Sequence, residues 1–144
     1  MVSVKTARRL RMLNQKLTGY SANPRSIPKE EREDIAMMMA AALSDFREFA
    51  YIGMRFLGFT LTDMQADIAE YMQKGPRKRM VAAQRGEAKS TLAALYAVWR
   101  LIQDQSCRIL IVSGAEKQAS DVANLIIRML ETWPLLCYLK ADPT

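Results

Sequence analysis

Apolar side chains recur at spacings of three and four residues through much of this chain, which is typical of helices with one buried face. The pattern of residues 4–18 predicts a short basic helix. This helix is expected to end at a loop, residues 19–24, which contains glycine and proline. Ser26 is expected to cap a second helix, with Pro28 in its first turn and acidic side chains complementing the helix dipole. One continuous apolar face is predicted from Ile35, Met39, Ala42, Phe46 and Phe49.

The pattern changes after Gly58. A further helix is predicted to open in the segment 61–65 and to end at Gly75 and Pro76. Two short apolar runs, residues 78–83 and 108–112, predict strands, and helices over about 90–104 and 115–131 are expected to follow them. Strand, helix, strand, helix in this order predicts an α/β fold with a parallel sheet. Two parallel strands cannot enclose a core, so the chain is expected to be the beginning of a larger domain.

Composition narrows the class of protein. The chain has 144 residues, 50% apolar and 25% charged, which fits one globular domain. No apolar run is long enough to cross a bilayer and the amino terminus lacks an export signal, so a cytoplasmic protein with no membrane contact is expected. The sequence has no histidine, which excludes catalysis by imidazole. Cys107 and Cys137 are expected to be buried thiols without a function.

The net charge of +6 is concentrated at the amino terminus, where residues 1–29 contain seven Lys or Arg and no acid. We therefore divide the chain into a basic arm, 1–27, and a portion of a larger domain, 28–144. The arm suits contact with nucleic acid or an acidic partner, but a basic surface helix that binds nothing explains the pattern equally well.

The junction between the first predicted strand and its helix carries the candidate chemistry. Residues 83–91 read Ala-Gln-Arg-Gly-Glu-Ala-Lys-Ser-Thr, which matches the phosphate-loop pattern G-x-x-x-x-G-K-[ST] except that alanine replaces both glycines. That pattern wraps backbone N–H groups around a phosphate, with Lys89 on the terminal phosphates and Ser90 on Mg²⁺. The alternative is an ordinary loop with a solvated Lys89 and Ser90 as a helix cap. A left-handed Ala88 would cost about 1 kcal/mol relative to glycine.

These residues resemble the large terminase subunit of tailed phages, and the short-tailed group most. The resemblance rests on the R-x-x-[GA]-K-[ST] loop, the helix with Gln65, and the run from Ala97 through 108–113 to Trp133 and Pro134, and it covers roughly residues 55–140. It implies a P-loop NTPase-type three-layer αβα fold with a mainly parallel sheet. Of that fold this chain would hold the first two βα units and the N-terminal helices.

The resemblance also implies a function, that of an ATP-driven motor that packages double-stranded DNA into a capsid. Lys89 would contact the β- and γ-phosphates of ATP, Ser90 would bind Mg²⁺, and Arg85 would stabilise the γ-phosphate during hydrolysis. The implied partners are double-stranded DNA, a portal, a small terminase subunit and further copies in a ring. The implied nucleotide-binding residues are Gln65, Arg85, Gly86, Glu87, Ala88, Lys89, Ser90 and Thr91.

Several of these residues have a second interpretation. Gln65 either hydrogen-bonds the adenine edge or completes a capping box with Thr62. Arg85 is alternatively a solvated side chain at a loop tip. Ser113 and Gly114 follow the second predicted strand, where they would either meet a ligand or cap the next helix. A basic cluster before the first strand either touches DNA or is solvated surface, and it contains Lys74, Arg77, Lys78 and Arg79.

Two parts of a complete ATPase are missing from the sequence. No acid follows Val112 to hold Mg²⁺, and no carboxylate is placed to orient water, because in the terminase pattern the Walker B strand, coupling motif and nuclease lie further along. We therefore expect the 144-residue chain to fold poorly alone and not to hydrolyse ATP at a motor-like rate. The alternatives are another P-loop ATPase, such as a helicase-like one, or a non-enzymatic nucleic-acid-binding remnant.

Overall fold

The computed structural model describes residues 2–82 and 88–139, and these residues form six α-helices. The helices are α1 (Val4–Thr18), α2 (Lys29–Ala42), α3 (Phe46–Phe56), α4 (Asp63–Lys74), α5 (Lys89–Gln103) and α6 (Glu116–Thr132). Two 3-10 helices complete them, a short one at Pro24–Ser26 and a longer one at Pro134–Leu139, which we call the C-terminal turn. The predicted helices at 4–18, 90–104 and 115–131 are therefore confirmed to within one residue at each end.

The predicted α/β fold is wrong, because no residue in the described ranges belongs to a β-strand. Residues 78–82 and 108–112, which the sequence assigned to parallel strands, are irregular and lie largely at the surface. Met80 is 86% exposed, Leu110 87% and Val112 82%. A strand exists only through hydrogen bonds to a neighbouring strand. Neither segment makes backbone hydrogen bonds to the other in the described residues, so their apolar composition produces no sheet.

The core is built by helix packing instead. Helix α5 lies at its centre, where it contacts α2, α3, α4 and α6. Its buried side extends over about three turns and consists of Leu92, Ala94, Leu95, Ala97, Val98, Trp99 and Ile102. Gly53 of α3 lies where a Cβ would come within 2.4 Å of a terminal methyl group of Leu95, so a larger residue there would require the Leu95 side chain to shift.

The predicted second helix is divided into α2 and α3 by Leu43–Asp45, although all five residues of its predicted apolar face are buried. The Asp45 carboxylate accepts a hydrogen bond from the Arg47 N–H at 2.9 Å and starts α3. Ser26 was expected to cap α2, which is also wrong. Its hydroxyl donates to the Asn23 carbonyl at 2.6 Å inside the short 3-10 helix.

Helix α1, the predicted basic arm, packs on the rest of the molecule through Leu13 and Leu17. It contacts α2 and the C-terminal turn, where the Cys137 thiol lies 3.9 Å from the Leu17 carbonyl. Cys137 is buried as expected, whereas Cys107 is only partly buried. The domain boundary at residue 27 stays a prediction. None of the described helices is both long and apolar enough to cross a membrane.

Candidate phosphate-binding site

The start of α5 has an unusual backbone conformation. Ala88 has φ 53° and ψ 37°, which is the left-handed region, and it directly precedes Lys89, the first residue of the helix. Among the described residues Ala88 is the only non-glycine residue with a positive φ. A single left-handed residue before a helix turns the chain sharply and directs successive N–H groups towards one point. The sequence left the conformation of residue 88 open. In the structure, the alanine that replaces the second glycine of the phosphate-loop pattern is left-handed.

The amino end of α5 is not neutralised by its own side chains. Among the described residues, 2–82 and 88–139, no side chain caps it, and its first turn contains no acidic residue. The interpretation of Ser90 as a helix cap is therefore wrong, since Ser90 is the second residue of the helix. The positive end of the helix dipole thus remains available to an anion at the surface, where Lys89 and Ser90 are exposed.

Lys89 and Ser90 line the mouth of a cleft of about 540 Å³ between α5, α6 and the segment 109–113. The hydroxyl of Ser113 also lines it and donates a hydrogen bond to Oε1 of Gln118 at 2.8 Å. The structure thus brings Ser113 into one cleft with Lys89 and Ser90, although the sheet edge that the sequence predicted for them is absent from the described residues. The cleft also has an apolar lining, which includes Ala93, Ala97, Ile109, Ile111, Val122 and Ile126.

Ser113 also contacts the start of α6. The N–H of Ala115, the residue directly before the helix begins at Glu116, donates to the Ser113 hydroxyl at 3.5 Å. This contact is long, so the capping interpretation of Ser113 receives only weak support. Gly114 is exposed, and a Cβ at that position would meet nothing within 4 Å.

Gln65 forms the capping box that the sequence offered as one of its two interpretations. Its side-chain Oε1 accepts from the Thr62 N–H at 3.0 Å, and its own N–H donates to the Thr62 hydroxyl at 3.2 Å. The side chain is buried, with 5% of its surface exposed, and it does not line the cleft of Lys89. The contact with adenine stays a prediction.

The remaining loop residues of the predicted site, Arg85, Gly86 and Glu87, lie outside the described residues. Thr91 is half-buried and faces away from the cleft of Lys89. It lines a second hollow of about 420 Å³, together with Phe56, Phe59 and Arg128.

The basic cluster at 74–79 is exposed, and two of its members have local roles. The Arg79 guanidinium donates to the carbonyls of Gln73 at 3.3 Å and Gly75 at 2.9 Å, so it closes the carboxyl end of α4. Lys74 lies 3.2 Å from the Glu70 carboxylate one turn earlier. Sequence reasoning missed the role of Arg79, although a cation shortly after a helix-ending glycine is the signal for it.

The described residues fit the phosphate part of the predicted site better than its metal part. A left-handed residue, an uncapped helix end, an ammonium and a hydroxyl meet at one place. Within 2–82 and 88–139, no group of three acidic, cysteine or histidine side chains is close enough to hold a metal ion.

Comparison with known proteins places this chain beside the large subunits of phage terminases. The chain is 32% identical over 111 residues to the terminase large subunit of Enterobacteria phage T3. The resemblance to this family, which the loop and its flanking segments predicted, is thereby confirmed. The match covers 75% of this chain but only 19% of the phage protein, so the chain spans about a fifth of that relative's length. No protein-family model matches the chain, and no solved structure matches it significantly.

Proposed function

We propose that this chain belongs to the DNA-packaging machinery of a phage and that the start of α5 binds the phosphates of ATP. The observation that carries the proposal is Lys89-Ser90 at an uncapped helix end after the left-handed Ala88, in a chain similar to a terminase large subunit. Double-stranded DNA, a portal, a small subunit and a ring of copies are partners proposed on the same similarity. The cytoplasm of the host is then the place of action.

Each residue of this site has a distinct task in the proposal. The helix end and the Lys89 ammonium attract the phosphates, and the exposed position of Lys89 lets a nucleotide enter from solvent. The Ser90 hydroxyl is a hard oxygen ligand suited to the Mg²⁺ that accompanies ATP, and the ion would offset the charge of the phosphates. Arg85 is proposed to face the γ-phosphate, four residues before Lys89.

Lys89→Ala tests the proposal directly, with binding of a fluorescent ATP analogue and Mg²⁺ as the readout. We expect the affinity to fall at least about tenfold, because one charge-assisted contact to a phosphate is removed. Lys117→Ala is the matched control, since Lys117 also lies in the first turn of a helix but does not line the cleft. An unchanged affinity in Lys89→Ala, or no binding by the unaltered chain, would refute the proposal.

A second pair of variants separates the two interpretations of Gln65. Thr62→Ala and Gln65→Ala both break the capping box, and each is expected to lower the free energy of unfolding by about 1 kcal/mol. If Gln65 also contacts adenine, only Gln65→Ala weakens ATP binding, and GTP binding stays the same. Equal effects of both variants on ATP binding would assign Gln65 to helix capping alone.

A further inference from the structure

The groove between α1 and α2 is a further concave surface of the molecule, lined by neither Lys89 nor Ser90. It has a volume of about 380 Å³ and is lined by Arg9, Met12, Leu13, Lys16, Met38 and Ala41. Four of these six residues are apolar. Met12 is 67% exposed and Met38 42% exposed, whereas Leu13 is buried and forms the floor.

Methionine is well suited to such a surface. Its unbranched, polarizable side chain adapts to the shape of a partner, and exposed methionines recur on surfaces that receive amphipathic helices. Met12 and Met38 line the same groove, and exposed apolar side chains grouped in this way mark interaction sites, whereas single scattered ones do not. The groove thus offers grouped apolar side chains of the kind that the apolar face of a helix contacts.

The rim of the groove is positive. Arg9 and Lys16 lie seven residues apart on α1, which corresponds to about 10.5 Å along a helix axis, and they flank Met12 and Leu13. All five charged residues of α1 are basic and exposed. Lys16 lies 3.6 Å from the carboxylate of Glu31, which is 26% exposed, while the Lys16 side chain itself keeps 46% of its surface in solvent at the rim. No acidic residue is among the described side chains that line the groove.

We propose that this groove binds an acidic amphipathic helix of a partner protein. The charges of the rim call for carboxylates at positions i and i+7 of that helix, and the apolar lining of the groove calls for apolar side chains at i+3 and i+4 between them. A nucleic acid would use the cations but gain little from Met12 and Met38, because its backbone offers phosphates and sugars to an apolar floor.

The test uses the full chain and a synthetic helical peptide of about 18 residues with glutamates at i and i+7 and leucines between them. Binding is measured by fluorescence anisotropy of the labelled peptide. We expect the unaltered chain to bind it at least about tenfold more tightly than a scrambled peptide of the same composition. We also expect it to reject a peptide in which lysines replace the glutamates.

Matched variants locate the binding surface. Arg9→Glu with Lys16→Glu is expected to raise the Kd at least about tenfold and to admit the lysine peptide, because the rim charge is reversed. Arg8→Glu with Arg11→Glu makes the same change of charge on the same helix outside the groove and should alter the Kd far less. Met38→Ser should weaken binding, whereas Met37→Ser, on a residue 73% exposed that does not line the groove, should not.

Three results would overturn the proposal. The first is equal binding of the designed and scrambled peptides, or no binding at millimolar concentration. The second is equal loss in both charge-reversed variants together with displacement of the peptide by duplex DNA, which would make α1 a phosphate-binding surface. The third is a dimer that Met38→Ser dissociates and that the peptide cannot enter, which would assign the groove to a second copy of this chain.

Discussion

Ala88 is the residue at which local strain and candidate chemistry coincide. A left-handed conformation costs alanine about 1 kcal/mol or more, because its Cβ crowds the backbone, and glycine has no such cost. Residues held in this region cluster where a fold needs a particular backbone direction. At Ala88 the strain is stored directly before the helix end that we propose to bind phosphate.

Ala88→Gly is expected to raise the free energy of unfolding by about 1 kcal/mol, since glycine adopts the left-handed conformation without crowding. Urea denaturation followed by circular dichroism measures the change. Ala93→Gly is the control, because Ala93 lies in the middle of α5 and is exposed to solvent. In this variant the free energy of unfolding should fall by about 1 kcal/mol instead. Destabilisation in both variants would mean that residue 88 is not left-handed in solution.

Tyr138 is a second residue whose local environment lowers the stability of the fold. Its ring is buried in the C-terminal turn, and its hydroxyl has no hydrogen-bond partner among the described residues. Burial raises the pKa of this hydroxyl above its ordinary value of 10.0. Because the pKa is raised in the folded state, the unfolded chain loses this proton at a lower pH than the folded chain does. The free energy of unfolding is therefore unaffected by this ionisation below pH 10 and falls as the pH rises above 10.

Tyr138→Phe should therefore be at least as stable as the unaltered chain at pH 8, with a gain of up to about 1 kcal/mol. The difference should increase between pH 8 and pH 10.5, because the variant has no hydroxyl to ionise on unfolding. Tyr20→Phe is the contrasting variant, since it removes a hydrogen bond of 2.8 Å to Glu31 and should be less stable at pH 8. The urea midpoints of both variants and of the unaltered chain, measured at the two pH values, test these expectations. A loss of stability in Tyr138→Phe would mean that the Tyr138 hydroxyl has a hydrogen-bond partner.

The break between α2 and α3 illustrates how one element depends on others. The indole N–H of Trp99 donates to the Leu43 carbonyl at 2.7 Å, and the Gln103 amide donates to the same oxygen at 2.9 Å. Across the break, the amide of Gln73 accepts from the Phe46 N–H at 2.9 Å and donates to the Ser44 carbonyl at 3.0 Å. Side chains of α4 and α5 thus satisfy backbone groups that a continuous helix would have paired internally.

Asp45→Ala tests this break, because it removes the side-chain cap of α3. We expect the free energy of unfolding to fall by about 1 kcal/mol, the usual loss for a helix cap. Asp67→Ala makes the same substitution at an exposed interior position of α4 and should change stability by less than about 0.5 kcal/mol. Chemical denaturation gives both values, and equal effects would contradict the assignment of Asp45 as a cap.

At the scale of the whole molecule, the irregular segment 109–112 leaves large apolar side chains in water. Leu110 and Val112 are more than four-fifths exposed, so they contribute little to the core. Contiguous exposed apolar side chains promote association between molecules. The segment is therefore expected to limit the concentration at which this chain stays monomeric.

Leu110→Lys with Val112→Lys should reduce self-association, measured by sedimentation velocity over a range of concentrations. The free energy of unfolding should change by less than about 0.5 kcal/mol, because both side chains already lie in water. Leu136→Lys, at a fully buried position of the C-terminal turn, is the control and should unfold the chain. A large loss of stability in the double variant would show that the segment is packed in solution.

The sequence by itself determined the elements whose hydrogen bonds are local. Helices α1, α5 and α6 were predicted within one residue of their ends, and the capping box of Thr62 and Gln65 could be read from four consecutive residues. A helix closes its backbone hydrogen bonds within one turn, so a short stretch of sequence contains nearly all that decides it. The family resemblance likewise came from a short loop and its flanking segments.

Only the tertiary structure decided the rest. Residues 108–112 have the composition of a buried strand, but a strand needs a partner, and no neighbouring segment among the described residues supplies one. The break at Leu43–Asp45 depends on Gln73, Trp99 and Gln103, which lie far along the chain. The cleft at Lys89 likewise depends on the packing of α6 against α5 and on the position of Ser113 in its lining. Contacts between distant residues set all three features, and hydrophobic periodicity within one segment carries no information about them.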